Sequence, residues 1–254
     1  MSIAEATNEK KALINTKLKE IFQKDFNCSF QEPKITLDQL NIFKEQFGFE
    51  LVAIPALKDL PLDDSYFEKM YPNKNKFWKP EYKDSITKDH KNYGGRFILY
   101  ELLQKPDFLN EIQLYGSKKG EQQGLDKNEK EFLESYEFIE AKDDLELELS
   151  SGKTRYAWSY NNINEYVIAA LQKEIKKAGL PGKVVVRPAT NFIDTVFFPY
   201  NGETETYEWT STGLVGTKNQ LTVGHAPLGG LSCVLDHDPA TYYANIGVRF
   251  AIVL

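Results

Sequence analysis

The chain has 254 residues, of which 41% are hydrophobic and 13% aromatic, and its 31 Lys plus Arg against 37 Asp plus Glu give a net charge of -6. That length and apolar content support a core without help from disulfides. The acidic balance, with only four scattered arginines (Arg96, Arg155, Arg187 and Arg249), excludes a basic nucleic-acid surface.

Cys28 and Cys233 stand at opposite ends of the chain. A disulfide framework is thereby excluded, one long-range bridge stays open, and two free thiols are the expectation. The opening Met1-Ser2-Ile3-Ala4-Glu5-Ala6 lacks the basic and apolar stretches of an export signal, and nowhere do about 18 apolar residues run together. A soluble protein with no direct membrane insertion is expected.

Between Glu5 and Lys24, Ile14, Leu18, Ile21 and Phe22 recur at helical spacing among Lys and Glu, which predicts an amphipathic helix docked on the body. A second helix is predicted after Pro33, with Thr36 as N-cap, Leu37, Leu40, Phe43 and Phe47 on one face, and Gly48 as its stop. Phe49 to Ile54 reads as a strand closed by Pro55, and Asp63 to Tyr71 as a short helix before Pro72. Residues 73–93, dense in Lys, Asn and Tyr with Trp78, read as an irregular surface excursion. Phe97 to Leu103 admits strand or helix, and strand is preferred.

Gly116 to Gly124 reads as a loop, followed by a helix capped by Asp126, and Leu145 to Leu149 alternates as a half-buried strand. A helix capped at Asn161-Asn162 carries Ile163, Val167, Ala170, Leu171 and Ile175 inward and ends at Gly179. From Lys183 the pattern turns to strands: 184–186, 192–198, 207–210, 221–223, 231–235 and 246–254. In the last of these Val248, Phe250, Ile252 and Leu254 alternate with Arg249, Ala251 and Val253, as one strand in a sheet.

Ser151-Gly152-Lys153-Thr154 imitates the end of a phosphate loop, but the required earlier glycine is Leu147, so a hairpin turn is the better reading. Asp236-His237-Asp238, with His225, offers imidazole and carboxylate suited to zinc or iron, although Pro239 directly after favours a plain exposed loop. Ser232 with His237 and Asp236 has no nucleophile-elbow context.

A larger ensemble lies at the C-terminal end: Tyr207-Glu208-Trp209-Thr210-Ser211, Gly229-Gly230-Leu231-Ser232 and Ile246-Gly247-Val248-Arg249-Phe250. In order and residue type these resemble the closing motifs of the C-type-lectin-like fold in its formylglycine-generating-enzyme branch, with Val248 where that branch has Phe and without its Arg-Gly-Gly-Ser form. The resemblance covers about the last fifth of the chain. It implies that Trp209 anchors sheet to helix, that Gly247 permits close backbone approach, and that Arg249 bridges buried carbonyls or a carboxylate. Calcium-dependent sugar binding would need Glu-Pro-Asn or Gln-Pro-Asp with Trp-Asn-Asp, which are absent, Glu32-Pro33-Lys34 being nearest and misplaced. Formylglycine-type oxidation would need a close cysteine pair, and sulfoxide synthesis a histidine cluster; the chain supplies neither.

From Leu221 to Leu254 there is no Lys, Glu, Gln, Met or Trp. Buried strands shed Lys and Glu in any protein. Yet these five are also the residues that an adenine-mutable asparagine-type codon ending in a pyrimidine never encodes. The chain thus resembles the variable proteins of diversity-generating retroelements, in particular their archaeal, nanoarchaeal-type members. The resemblance implies an exposed, diversified contact surface of His225, Ala226, Leu231, Cys233, Leu235, Asp236, His237, Asp238, Tyr242 and Tyr243, in which Tyr gives contact area at low entropic cost.

The expectation is an α+β chain: residues 1–150 form a helical and mixed part packed on or inserted into a C-type-lectin-like module of residues 151–254, giving that fold additional N-terminal helices and short strands. It is expected to bind a protein or cell-surface ligand, without catalysis, cofactor, resident metal or nucleic acid. The alternative is a metal-dependent enzyme of the formylglycine-generating-enzyme-like fold using His225, Asp236 and His237.

Overall fold

A computed structural model of the chain describes residues 2–60, 80–101, 108–109, 112–113, 159–189, 207–224, 233–241 and 246–254. Helix α1 (Ile3–Phe22) and helix α2 (Leu37–Phe47) both begin with capping boxes, Ser2 with Glu5 and Thr36 with Gln39, in which cap and third residue satisfy each other's free N–H groups. Gly48 closes α2 in the left-handed conformation, with φ 68°, that a Cβ disfavours. The apolar stripe of α1 goes inward as its spacing predicts: Ile14 and Leu18 are fully buried, with Ile21 and Phe22 packed at the margin.

Strands β1 (Phe49–Ile54) and β2 (Arg96–Glu101) pair antiparallel, and the last strand, β10 (Phe250–Val253), lies on the far side of β2, followed by β5 (Lys183–Val186). The parts drawn on either side of residue 150 therefore share one sheet. Its strands are apolar on both faces because both are covered. Leu51, Leu99, Phe250, Ile252, Val184 and Val186 join the main core, whereas Val52, Ile54, Ile98, Tyr100 and Ala251 form a second cluster behind it.

Strand β5, the end of this sheet among the described residues, is covered by a side chain. Gln172 accepts from the Val184 N–H at 2.8 Å and donates to the Gly182 carbonyl at 3.2 Å, which occupies groups that an edge otherwise offers to another strand.

The second sheet has the order β8-β7-β6-β9: β6 (Tyr207–Gly213), β7 (Gln220–Gly224) and β8 (Cys233–His237) pair antiparallel, while β9 (Ile246–Val248) pairs parallel to β6. Strands β3 (Phe108–Leu109) and β4 (Ile112–Gln113) pair antiparallel as a separate two-stranded sheet. These elements make the chain α+β.

Three local expectations are corrected. Residues 73–93 are not all irregular, since Pro80–Tyr93 is helix α3. The helix expected to start at Asn161-Asn162 starts earlier: Ser159 caps α4 (Tyr160–Asn162), which passes through a π-helical segment, Ile163–Val167, into α5 (Ile168–Lys177). The single closing strand is two, because the chain changes sheets at Arg249 between β9 and β10. The helix at 63–71, the helix from Asp126, the strands at 145–149 and 192–198, and the Ser151–Thr154 turn lie outside the described residues.

Candidate binding surface

The second sheet is built around β6, whose alternating side chains serve different purposes on its two faces. Trp209 is fully buried, with its ring centroid 5.9 Å from Tyr160 at the start of α4 and 6.1 Å from His237 at the end of β8, the latter edge-on at 80°. An indole held between helix and sheet removes a large apolar area from water and fixes both neighbours. Its flanking residue Glu208 is equally buried, and its carboxylate is gripped from two sides: Arg187 Nε lies 2.8 Å from Oε2 and Arg249 Nε 2.8 Å from Oε1.

Two guanidiniums on one carboxylate leave an excess positive charge in the interior. Glu101, also at 0% exposure, accepts the Phe250 N–H on its Oε2 at 3.1 Å, and Arg187 donates to the Tyr100 hydroxyl at 2.9 Å. Main-chain bonds follow the same route, from Arg187 N–H to the Arg249 carbonyl and from Ser211 N–H to the Arg187 carbonyl. The network therefore ties β5, β6 and the β9–β10 junction together where the two sheets meet. Gly247 sits opposite Glu208 in the β6–β9 register, so the two C-terminal motifs are direct neighbours.

Against this framework lies strand β8. Leu235, Asp236 and His237 are half-buried and Asp238 is exposed. Asp236 accepts from the Tyr82 hydroxyl and, at 2.7 Å, from the Asn219 side-chain amide. His237 Nδ1 meets the Thr222 hydroxyl at 3.1 Å on the other face, as adjacent strand residues must. Burial beside Trp209 pushes the His237 imidazole below its ordinary pKa, and the neighbouring Asp236 charge opposes that in part. Asp238 turns back to accept the Ala240 N–H at 2.9 Å, and the Asn161 N–H donates to the Pro239 carbonyl at 3.0 Å. The segment after β8 is thus seated on the start of α4.

Of the expected contact residues, His225, Ala226, Leu231, Tyr242 and Tyr243 lie outside the described residues, and for Cys233 only the backbone, in β8, is described. Leu235, Asp236 and His237 are brought onto one strand, β8, and Asp238 directly follows it. Asp236 and His237 are not brought together as ligands of one ion, and among the described residues no group of three His, Cys, Asp or Glu side chains converges on a metal position.

What the linear reading missed is α3. Tyr82, Ser85, Asp89 and Tyr93 recur every three or four residues and face the second sheet as a polar stripe. Ser85 Oγ accepts the Val215 N–H at 2.9 Å, and Asp89 accepts the Thr212 hydroxyl at 2.6 Å, while Tyr93 lies beside Ser211. Burial holds Asp89 above its ordinary value, opposed by its hydrogen bonds from Thr212 and Asn92. The helical period was present in these polar residues, but a search for apolar repeats passes over it.

No family model, curated protein or solved structure matches this chain. Among the described residues, no helix is long and apolar enough to cross a membrane.

Proposed function

We propose that the protein is a non-catalytic binding protein with a C-type-lectin-like fold, whose C-terminal surface is diversified by a retroelement to meet a protein or cell-surface ligand. The observation that carries this reading is the loss of Lys, Glu, Gln, Met and Trp over Leu221 to Leu254. Burial accounts for it in β7, β9 and β10, where Leu221, Val223, Ile246 and Phe250 are core. It does not account for Asp238, Ala240 and Thr241, which are exposed and where Lys and Glu are ordinarily at home. The adjacency of the Glu-Trp-Thr-Ser strand and the closing strand supports the fold resemblance. The buried Arg187–Glu208–Arg249 group gives the rigid base that a changeable surface needs, since interchangeable residues must not carry the stability of the fold.

The decisive test is genomic. A near-copy of the 3′ end of the gene, differing only at adenine positions and neighbouring a reverse transcriptase, is expected; a locus with neither removes the reading. At the protein level, Tyr242→Ser and Tyr243→Ser are each expected to leave stability within about 0.5 kcal/mol in urea unfolding, as surface substitutions do. A loss of several kcal/mol would place those tyrosines in the core and end their role as contacts.

A further inference from the structure

Away from the C-terminal surface, a cavity of about 170 Å³ opens where the chain enters β2. Its polar rim is Gln31, Glu32, Lys34 and Arg96, and Pro33 and Phe97 line its apolar side with Leu254, which packs against the main core. The walls are fixed. Gln31 forms a parallel bridge to Arg96, its N–H donating to the Gly95 carbonyl at 2.8 Å, and Phe97, 3% exposed, is wedged against Phe30 with ring centroids 5.5 Å apart. Gly95 holds the corner at φ 74°, where an added Cβ would come 3.3 Å from the Ala56 Cβ.

The charges at this mouth are unevenly committed. Glu32 is met by Lys11 at 2.6 Å, and the same ammonium lies 5.8 Å from the Phe97 ring centroid. Among the described residues no ion pair engages Arg96 or Lys34. Arg96 and Lys34 thus line this mouth beside Pro33 and Leu254 with no carboxylate partner among the described residues, in a chain whose net charge is -6. An anion is the ligand such a mouth selects, and Arg offers a planar fork that matches a carboxylate. The volume sets the rest: about 170 Å³ leaves room for one group the size of a ring.

We propose that this cavity is a binding site for a small carboxylate with a short apolar tail, the carboxylate on Arg96 and Lys34 and the tail against Pro33 and Leu254. The site is separate from the diversified surface and stands whether or not that surface is diversified.

The test is amide chemical-shift titration of the full chain with benzoate, and with benzamide as the uncharged isostere. Benzoate is expected to shift the Gln31, Lys34 and Phe97 amides saturably, with a Kd of about 1 mM, and benzamide to bind about tenfold more weakly or not at all. Arg96→Gln and Lys34→Gln are each expected to weaken benzoate about tenfold, and Arg96→Lys less, because it keeps the charge and loses the fork. Absence of saturable shifts at these amides, equal binding of benzamide, or unchanged affinity in Arg96→Gln overturns the proposal. Should Arg96→Gln fail a thermal-melt control for folding, Lys34→Gln and the benzoate–benzamide pair decide alone.

Discussion

Replacing Glu208 by Gln keeps the shape of the side chain and removes the one charge that both Arg187 and Arg249 grip. Each Nε–Oε contact is 2.8 Å and all three side chains are at most 2% exposed. At an effective dielectric near 20, charges about 4 Å apart attract by about 4 kcal/mol, so two such pairs give up about twice that. Part is returned, because a neutral amide no longer has to be stripped of water. The net cost of breaking a buried ion pair from one side is about 3–5 kcal/mol. For a chain of this size that lowers Tm by about 10 °C.

Thermal unfolding followed by circular dichroism, with urea unfolding at 25 °C as a second measure, reads this directly. A melt within about 2 °C of the parent would show that the network contributes little and that the sheets are joined by packing alone. Exchanging Arg187, Glu208 and Arg249 together for apolar residues separates charge from strain. Such replacements are often neutral or stabilising, so a triple variant more stable than Glu208→Gln is expected.

Trp209→Ala empties the space between Tyr160 and His237 and is expected to cost about 3–5 kcal/mol in urea unfolding; a cost under about 1 kcal/mol would refute its role as anchor. Gln172→Ala uncovers the edge of β5, so a loss of about 1 kcal/mol and concentration-dependent association in light scattering are expected, and an unchanged monodisperse profile would contradict the edge argument. His90 is buried with Nε2 2.6 Å from the Pro55 carbonyl, and desolvation holds its pKa below the ordinary 6.5 while that hydrogen bond opposes the shift. The unfolded chain therefore takes up the proton first, so stability is full above 6.5 and is lost as pH falls from there toward the folded value. Urea unfolding over a pH series should show that slope reduced in His90→Gln, with the part due to His237, shifted the same way, remaining.

The helices with apolar stripes and their caps were legible in the linear chain, because a 3.6-residue period of Leu, Ile and Phe and a Ser/Thr cap are local facts. Strands β1, β2 and β5 to β7 were legible for the same reason, as runs of β-branched and aromatic residues between turn signals. Helix α3 was not, because its inward face has Ile86 as its one aliphatic residue and is otherwise Tyr82, Ser85, Asp89, His90 and Tyr93, whose burial makes sense only once partners from distant strands are in place. The chain's change of sheet at Arg249 was hidden too: alternation continues unbroken through Val248, Phe250 and Ile252, although the strands on either side pair with different neighbours.

The candidate surface divides along the same line. Sequence named Trp209, Gly247 and Arg249 and the stretch around Asp236–Asp238, but could not say that Glu208 and Arg187 meet Arg249, nor that Asp236 is held by Tyr82 from 154 positions away. Residue types and their local order determined helices, strands and the unusual composition of the last 34 residues, Leu221 to Leu254. Tertiary structure alone decided which charges are buried together and which cations are left facing an open cavity, because the energy of a charge is set by its neighbours in space, and chain order does not contain them.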